Sequence, residues 1–349
     1  MQKEKKWVIT FLCCIILGFA GIVTLIIFID PFFQYHKPLK GFPYVVDNQL
    51  SQNPGMAKNM EYDSILLGSS MTVNFDTDWF MELEGLDTIK LNYNGAYPKD
   101  QSNIMKIVFE QNRQIKKVFM GIDIPAYTGG VEETKYPIPE HLYDSNYLND
   151  IYYLFNKDVL INYILKAVVD QKDKTDLSEV YKTWWTDEYF KKELVLRDYV
   201  APAISLEKPD ATIYQEALEA NLSQNICPYI EANPQTEFVL FFTPYSILYW
   251  YGIDRENKID SVLGEFSYTI DRLLEYENVK LFMFSDQEWI ITDLDLYADY
   301  CHYHTDINRY MAECFVSGEC EVTQENKKDR IRSLEKIAKE YDYNVIFEK

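Results

Sequence analysis

Two stretches far apart in the 349-residue chain carry residue types suited to nucleophilic catalysis. The first is Ile65-Leu66-Leu67-Gly68-Ser69-Ser70, an apolar run that stops at two hydroxyls. A tight turn would favour Gly, Asn, Asp or Pro there; a nucleophile at a strand end would look the same. A serine hydroxyl attacks well only when a base takes its proton, and histidine is the usual base. The chain has four histidines: His36, His141, His302 and His304. His36 lies a few residues past an N-terminal apolar run, and His141 beside Pro139 reads as a surface residue. The second stretch, Asp299-Tyr300-Cys301-His302-Tyr303-His304, holds the other two. Asp299 precedes His302 by three residues, an offset that lets a carboxylate orient an imidazole within one turn. Ser70, Asp299 and His302 are therefore a candidate triad in the chain order Ser, Asp, His. The G-x-S-x-G elbow is absent, which disfavours the α/β-hydrolase fold.

Other readings stand beside this one. Ser69 and Ser70 could cap a helix. Asp299 and His302 could be a structural pair. His302 and His304 with Asp299 and Asp306 could gather a metal, although no third element of a known metal motif accompanies them. Cys301 reads as a buried packing residue rather than a nucleophile.

The surrounding pattern must position these groups. Short apolar runs predict strands at 64–67, 87–92, 117–124, 237–243 and 279–284, most ending at Gly, Pro, Ser or Asp, as buried parallel strands do. Helical spacing predicts helices over 99–114, 211–232, 258–277 and 326–341, the last with Asn326 as a possible cap. This alternation implies an α/β fold with a parallel sheet covered on both faces. Ligands in such sheets bind beyond the carboxyl ends of the strands. Gly68-Ser69-Ser70, Asn92-Tyr93-Asn94-Gly95, Gly121-Ile122-Asp123 and Thr243-Pro244-Tyr245 all fall at such ends. Residues 125–205, with Pro137, Pro139, Trp184, Trp185 and many Tyr, break the rhythm and read as a mostly helical insertion covering the site.

Composition bounds location and partners. The net charge of −21 repels phosphate backbones and argues against nucleic acid. The 28 Tyr and 6 Trp fit core and surface packing, or a face on which sugars stack. Residues 7–29 form an uncharged apolar run of 23 residues, longer than a signal-peptide core and with no cleavage site after it. Lys3, Lys5 and Lys6 precede it. The expectation is a single-pass membrane protein, its N-terminus cytoplasmic. Residues 30–60, with four prolines, would form an extracytoplasmic stalk, and residues 61–349 the α/β domain. Cys13 and Cys14 lie in the anchor. Cys227, Cys301, Cys314 and Cys320 would face an oxidising exterior, where a Cys314–Cys320 bridge is permitted. No cysteine pair has zinc-knuckle spacing.

The Ile65–Ser70 stretch, followed far downstream by Asp299-x-x-His302, resembles the SGNH (GDSL-like) hydrolase superfamily. The resemblance implies a three-layer α/β/α, flavodoxin-like fold with a mainly parallel five-stranded sheet. It also implies Ser70 as nucleophile, Asp299 as orienting acid and His302 as base. Ser69 stands where the family often has Asp. The second block supplies an oxyanion glycine, which maps to Gly95, with Asn94 as a further donor. The third block is normally Gly-x-Asn-Asp; here it reads Gly121-Ile122-Asp123, and an ionised Asp cannot donate a hydrogen bond. The anchor, the insertion and the late Asp-x-x-His resemble membrane-anchored Gram-positive members, similar to the D-alanyl-lipoteichoic acid synthesis D protein and the alginate O-acetylation proteins. These imply acyl transfer on cell-envelope polysaccharide or teichoic acid, beside a membrane-bound O-acyltransferase, with no metal or organic cofactor. Two further expectations stay open: a catalytically degenerate scaffold that binds polymer or partner, and a sensor or adhesin ectodomain.

Overall fold

Helix α1 (Gln2–Ile29) begins the chain, and its stretch Lys3–Ile29 is long and apolar enough to cross a bilayer. The computed structural model describes residues 2–111, 114–170, 176–183 and 185–347. Trp184, and parts of the expected helix 99–114 and of the insertion (112–113 and 171–175), lie outside the described residues.

Beyond α1 the chain does not extend as a stalk. It turns at Asp30, whose φ of 49° an Asp tolerates better than most side chains. The buried Asp30 carboxylate accepts the amides of Gln34, Tyr35 and His36 at 2.7–3.0 Å and the Tyr153 hydroxyl at 2.9 Å. Helix α2 (Gln49–Asn59) follows, capped by the Asn48 side chain on the Ser51 amide. Residues 1–61 group with 137–176 as one compact unit, and 62–136 with 177–349 as another. The expected insertion 125–205 is thus divided between them, and its helices are short 3₁₀, α and π segments.

The second unit holds the sheet. Strands β1 (Ser64–Leu67), β2 (Thr88–Lys90), β3 (Lys117–Ile122), β4 (Glu237–Phe242) and β5 (Val279–Met283) match the five expected runs. They are parallel, in register at Ile65↔Val118, Phe119↔Val239 and Leu240↔Leu281. A sixth strand, β6 (Glu321–Val322), joins antiparallel to β5, so the sheet is mixed and reads β2-β1-β3-β4-β5-β6. At two residues, β6 has no periodicity to betray it. The chain steps from β1 outward to β2, then crosses back to β3. The switch point therefore lies between β1 and β3, where a crevice opens at the carboxyl ends.

Helices α3 (Pro98–Glu110), α4 (Lys192–Asp198), α5 (Ile247–Arg255), α6 (Ile259–Leu273), α7 (Thr305–Ser317) and α8 (Lys327–Glu340) belong to this unit, and residues 215–232 are helical through a π segment. Asn326 precedes α8 without capping it; its side chain instead accepts the Thr323 amide at 2.8 Å. On α7, Phe315 packs among Phe75, Phe119, Phe241 and Phe282, with ring centroids 5.0–6.2 Å away. That aromatic cluster anchors α7 on the sheet, and α7 begins three residues after His302 and two after Tyr303.

Candidate active site

The turn after β1 explains why the apolar run ends as it does. Gly68 has φ +139°, and a Cβ there would stand 2.6 Å from Cγ2 of Thr72. A Cβ on Gly121, at the end of β3, would meet the same methyl at 2.7 Å. Thr72, fully buried, thus lodges between two strand ends that only glycine lets so close. Its hydroxyl donates to the Ser69 carbonyl at 2.9 Å. The two serines divide the readings made of them. Ser69 Oγ accepts the Met71 amide at 3.2 Å and caps the 3₁₀ turn Ser70–Thr72. Ser70 is left free of capping, half-buried, with Oγ 2.9 Å from His302 Nε2.

His302 and Asp299 sit in a tight loop whose ends pair as an isolated bridge between Tyr297 and Tyr303. Asp299 Oδ1 accepts the amides of Cys301 and His302, both at 2.8 Å, and Oδ2 lies 2.6 Å from His302 Nδ1. A carboxylate only accepts, so Nδ1 points a proton at Asp299; in the tautomer that carries only this proton, Nε2 is the acceptor that faces the Ser70 hydroxyl. Burial works against ionising Asp299, but the hydrogen bonds and charge of His302, together with the two amides, hold its carboxyl below the usual range.

Several residues that sequence reasoning passed over build this geometry. The Tyr303 hydroxyl donates to the Met71 carbonyl at 2.5 Å, tying the base loop to the nucleophile turn. Tyr297 donates to the Pro244 carbonyl at 2.8 Å, tying the same loop to the end of β4. Both phenols are buried. The Trp185 ring lies against the imidazole, centroids 5.0 Å apart, so the insertion's second half does reach the base. Tyrosines beside the motif were visible as a signal, but not their direction.

The oxyanion candidates fall into place unequally. The Tyr93 amide donates to the Gly68 carbonyl and the Ala96 amide to the Tyr93 carbonyl, so Asn94 and Gly95 form an exposed turn hung from the Gly68 turn. Gly95 has φ +68°, and the Lys135 side chain runs across it, 3.1 Å from where a Cβ would stand. The Ser70 and Gly95 amides donate to no acceptor among the described residues. Asp123 is buried and acts as an acceptor: Oδ1 takes the hydroxyls of Thr243 at 3.0 Å and Tyr245 at 2.9 Å, while Oδ2 has no partner among the described residues.

The four-residue metal set does not assemble. His304 Nδ1 accepts the Asp306 amide as the cap of α7, and Nε2 lies 3.3 Å from Asp187. The ligand atoms of Asp299, Cys301 and His302 do lie within 4.8 Å of one another. Burial first, and then the Asp299 charge, keep the Cys301 thiol protonated well above its ordinary range. The same effects make Cys301 a poor nucleophile. Cys314 and Cys320 are free, buried thiols rather than a bridge. The Tyr310 hydroxyl is 3.4 Å from Cys320 Sγ, and a hydrogen bond from Cys314 draws the Cys320 pKa below its ordinary value.

A cleft of about 520 Å³ runs beside the loop. Val195, Tyr199 and Pro202 line one side, Tyr249 and Ile253 another, and Asp299 with Tyr300 stand at its edge. Comparisons with protein-family models, curated proteins and solved structures find no match.

Proposed function

We propose that the chain is a membrane-anchored serine esterase or O-acyltransferase with a three-layer SGNH-like domain outside the cell. It would act on acyl esters of cell-envelope polysaccharide or teichoic acid, beside a membrane-bound O-acyltransferase. The observation that carries this reading is the continuous hydrogen-bonded line Ser70–His302–Asp299, joined across 232 positions of sequence. The parallel strands and the switch point at Ser70 support the fold assignment. The long apolar α1 supports the anchor.

In this mechanism Ser70 Oγ attacks the acyl carbonyl as its proton passes to His302 Nε2. Asp299 holds the tautomer and stabilises the imidazolium. The free Ser70 and Gly95 amides would receive the tetrahedral oxyanion, each such donor supplying roughly 3 kcal/mol in other enzymes. Collapse expels the alcohol, which takes the proton back from Nε2, and leaves an acyl-serine. A sugar or polyol hydroxyl, or water, then attacks the acyl-serine carbonyl as its proton passes to Nε2; collapse leaves the acyl group on the acceptor oxygen and breaks the bond to Ser70 Oγ, which takes that proton back. The tyrosines of the cleft favour a polymer acceptor, because aromatic rings stack on sugar faces. A fluorophosphonate probe tests the nucleophile directly: wild-type chain should be labelled and Ser70→Ala should not. Labelling that survives Ser70→Ala removes Ser70 from the reaction.

One observation favours the second reading, a degenerate scaffold that binds polymer or the acyltransferase. Asp123, at the third-block position, accepts hydrogen bonds where the family has an oxyanion donor. Normal polymer acylation in a strain carrying His302→Ala would select that reading.

A further inference from the structure

Residues 147–169 carry a run of apolar side chains turned outward. Leu148, Tyr152, Phe155, Ile161, Leu165 and Val169 are 49–90% exposed. Soluble surfaces seldom gather so many in one short stretch. These residues also have a fixed relation to α1. The segments Ile151–Leu154 and Val159–Leu165 both pack against it. At the outer end of α1, Ile26 and Ile29 are buried, while Leu25 and Phe28 stay exposed. The Phe155 ring meets the Phe19 ring with centroids 5.6 Å apart. Phe19 precedes Ile29 by ten residues, ~15 Å along a helix axis. If the hydrocarbon begins near Trp7, its far edge lies about 20 residues on. Phe155 then reaches below that edge.

The polar residues limit the depth. Asn156, Lys157 and Asp158 are exposed at the tip next to Phe155, and an unpaired carboxylate is costly in hydrocarbon. Lys157 and Lys166 have stems long enough to return their ammonium groups to the headgroups. Tyr147 and Tyr152 supply the aromatic type enriched at membrane–water boundaries. We infer that residues 147–169 form an interfacial collar around the outer end of α1, its apolar side chains seated at the headgroup–acyl boundary of the membrane. This rests on the reading of α1 as the anchor. The insertion's first half would then hold the chain against the lipid surface, giving the unit a second attachment beyond a single helix.

The test uses the full chain in phosphatidylglycerol–phosphatidylethanolamine vesicles doped with a phospholipid bearing a diazirine on its acyl chain. After photolysis, adducts are mapped by peptide mass spectrometry. Peptides from α1 and from 147–169 should carry adducts at yields within about fivefold of each other. Peptides spanning 200–213 serve as reference, since Val200 and Leu206 are 86% and 95% exposed and belong to the other unit; their yield should be at least tenfold lower. Adducts on α1 with only reference yield in 147–169 overturn the collar while the anchor stands; a second copy covering the face would give this result. Absence of adducts on α1 overturns the anchor and the collar together.

Discussion

Replacing Tyr303 by Phe removes one oxygen atom and tests whether the base loop is held on the nucleophile by that atom. Tyr303 is 3% exposed, and its hydroxyl is the close donor to the Met71 carbonyl; the next, Asn308 Nδ2, stands at 3.5 Å. Without the phenol that buried carbonyl keeps only a long, weak partner, a loss of about 1–3 kcal/mol. For a unit of this size, that corresponds to a melting temperature lower by roughly 2–10 °C. Met71 follows Ser70, so the slack falls on the 2.9 Å contact between Ser70 Oγ and His302 Nε2. A displacement near 1 Å can cost about 100-fold in rate, so fluorophosphonate labelling should slow about 10- to 100-fold. Tyr297→Phe is the control. It removes the bond to the Pro244 carbonyl from the same loop, also fully buried, but leaves the Ser70 turn untouched. It should cost similar stability and slow labelling by less than about fivefold. Labelling of Tyr303→Phe within twofold of wild type, or an equal loss in Tyr297→Phe, would refute the tether.

Three other outcomes follow from local physics. Gly68→Ala should destabilise the fold by ~2 kcal/mol or more and abolish labelling, because the new Cβ meets Thr72 at 2.6 Å with φ at +139°; denaturant melts that match wild type would contradict this. Burial raises the Glu265 pKa to about 8, with Lys258 a smaller opposing influence. The folded chain therefore keeps a proton that the unfolded chain releases near pH 4.3, so stability falls between that pH and about 8. Glu265→Gln should be ~1–3 kcal/mol more stable than wild type at pH 8 and near parity at pH 4; an equal difference at both pH values would rule it out. Asp299, held below its ordinary value, contributes stability above about pH 4 that is lost as pH falls through its folded pKa. Asp299→Asn should lack that acid limb in melts from pH 6 to pH 3, and its labelling should fall steeply because Nδ1 loses its acceptor.

What could be read in advance depended on range. Strand cores of the type Val118-Phe119-Met120 announce themselves because both faces of a central parallel strand are buried. Glu321-Val322 did not, since two residues paired at an edge carry no period of their own. Helix 326–341 was legible from its apolar spacing, yet its cap was not: Asn326 spends its side chain on the Thr323 amide and the Glu321 carbonyl. The insertion was legible only as an interruption. Its division, with 137–176 grouping with the N-terminal residues and its two flanks with the sheet, follows from long-range contacts, and spacing along the chain carries no such information.

Sequence alone determined the chemistry on offer: a serine at a strand end, a carboxylate three residues before an imidazole, and an apolar helix long enough for a bilayer. These are local facts, set by residue type and short spacing. The tertiary structure decided which hydroxyl meets the base. Ser69 turns back to cap its own turn and Ser70 turns to His302, because Thr72 wedges between Gly68 and Gly121 and fixes the angle at which the chain leaves β1. It also placed Tyr303 on the Met71 carbonyl and Asp123 as an acceptor rather than a donor. Such contacts join residues more than 100 positions apart, and only close packing of the sheet's carboxyl ends brings them within hydrogen-bonding distance.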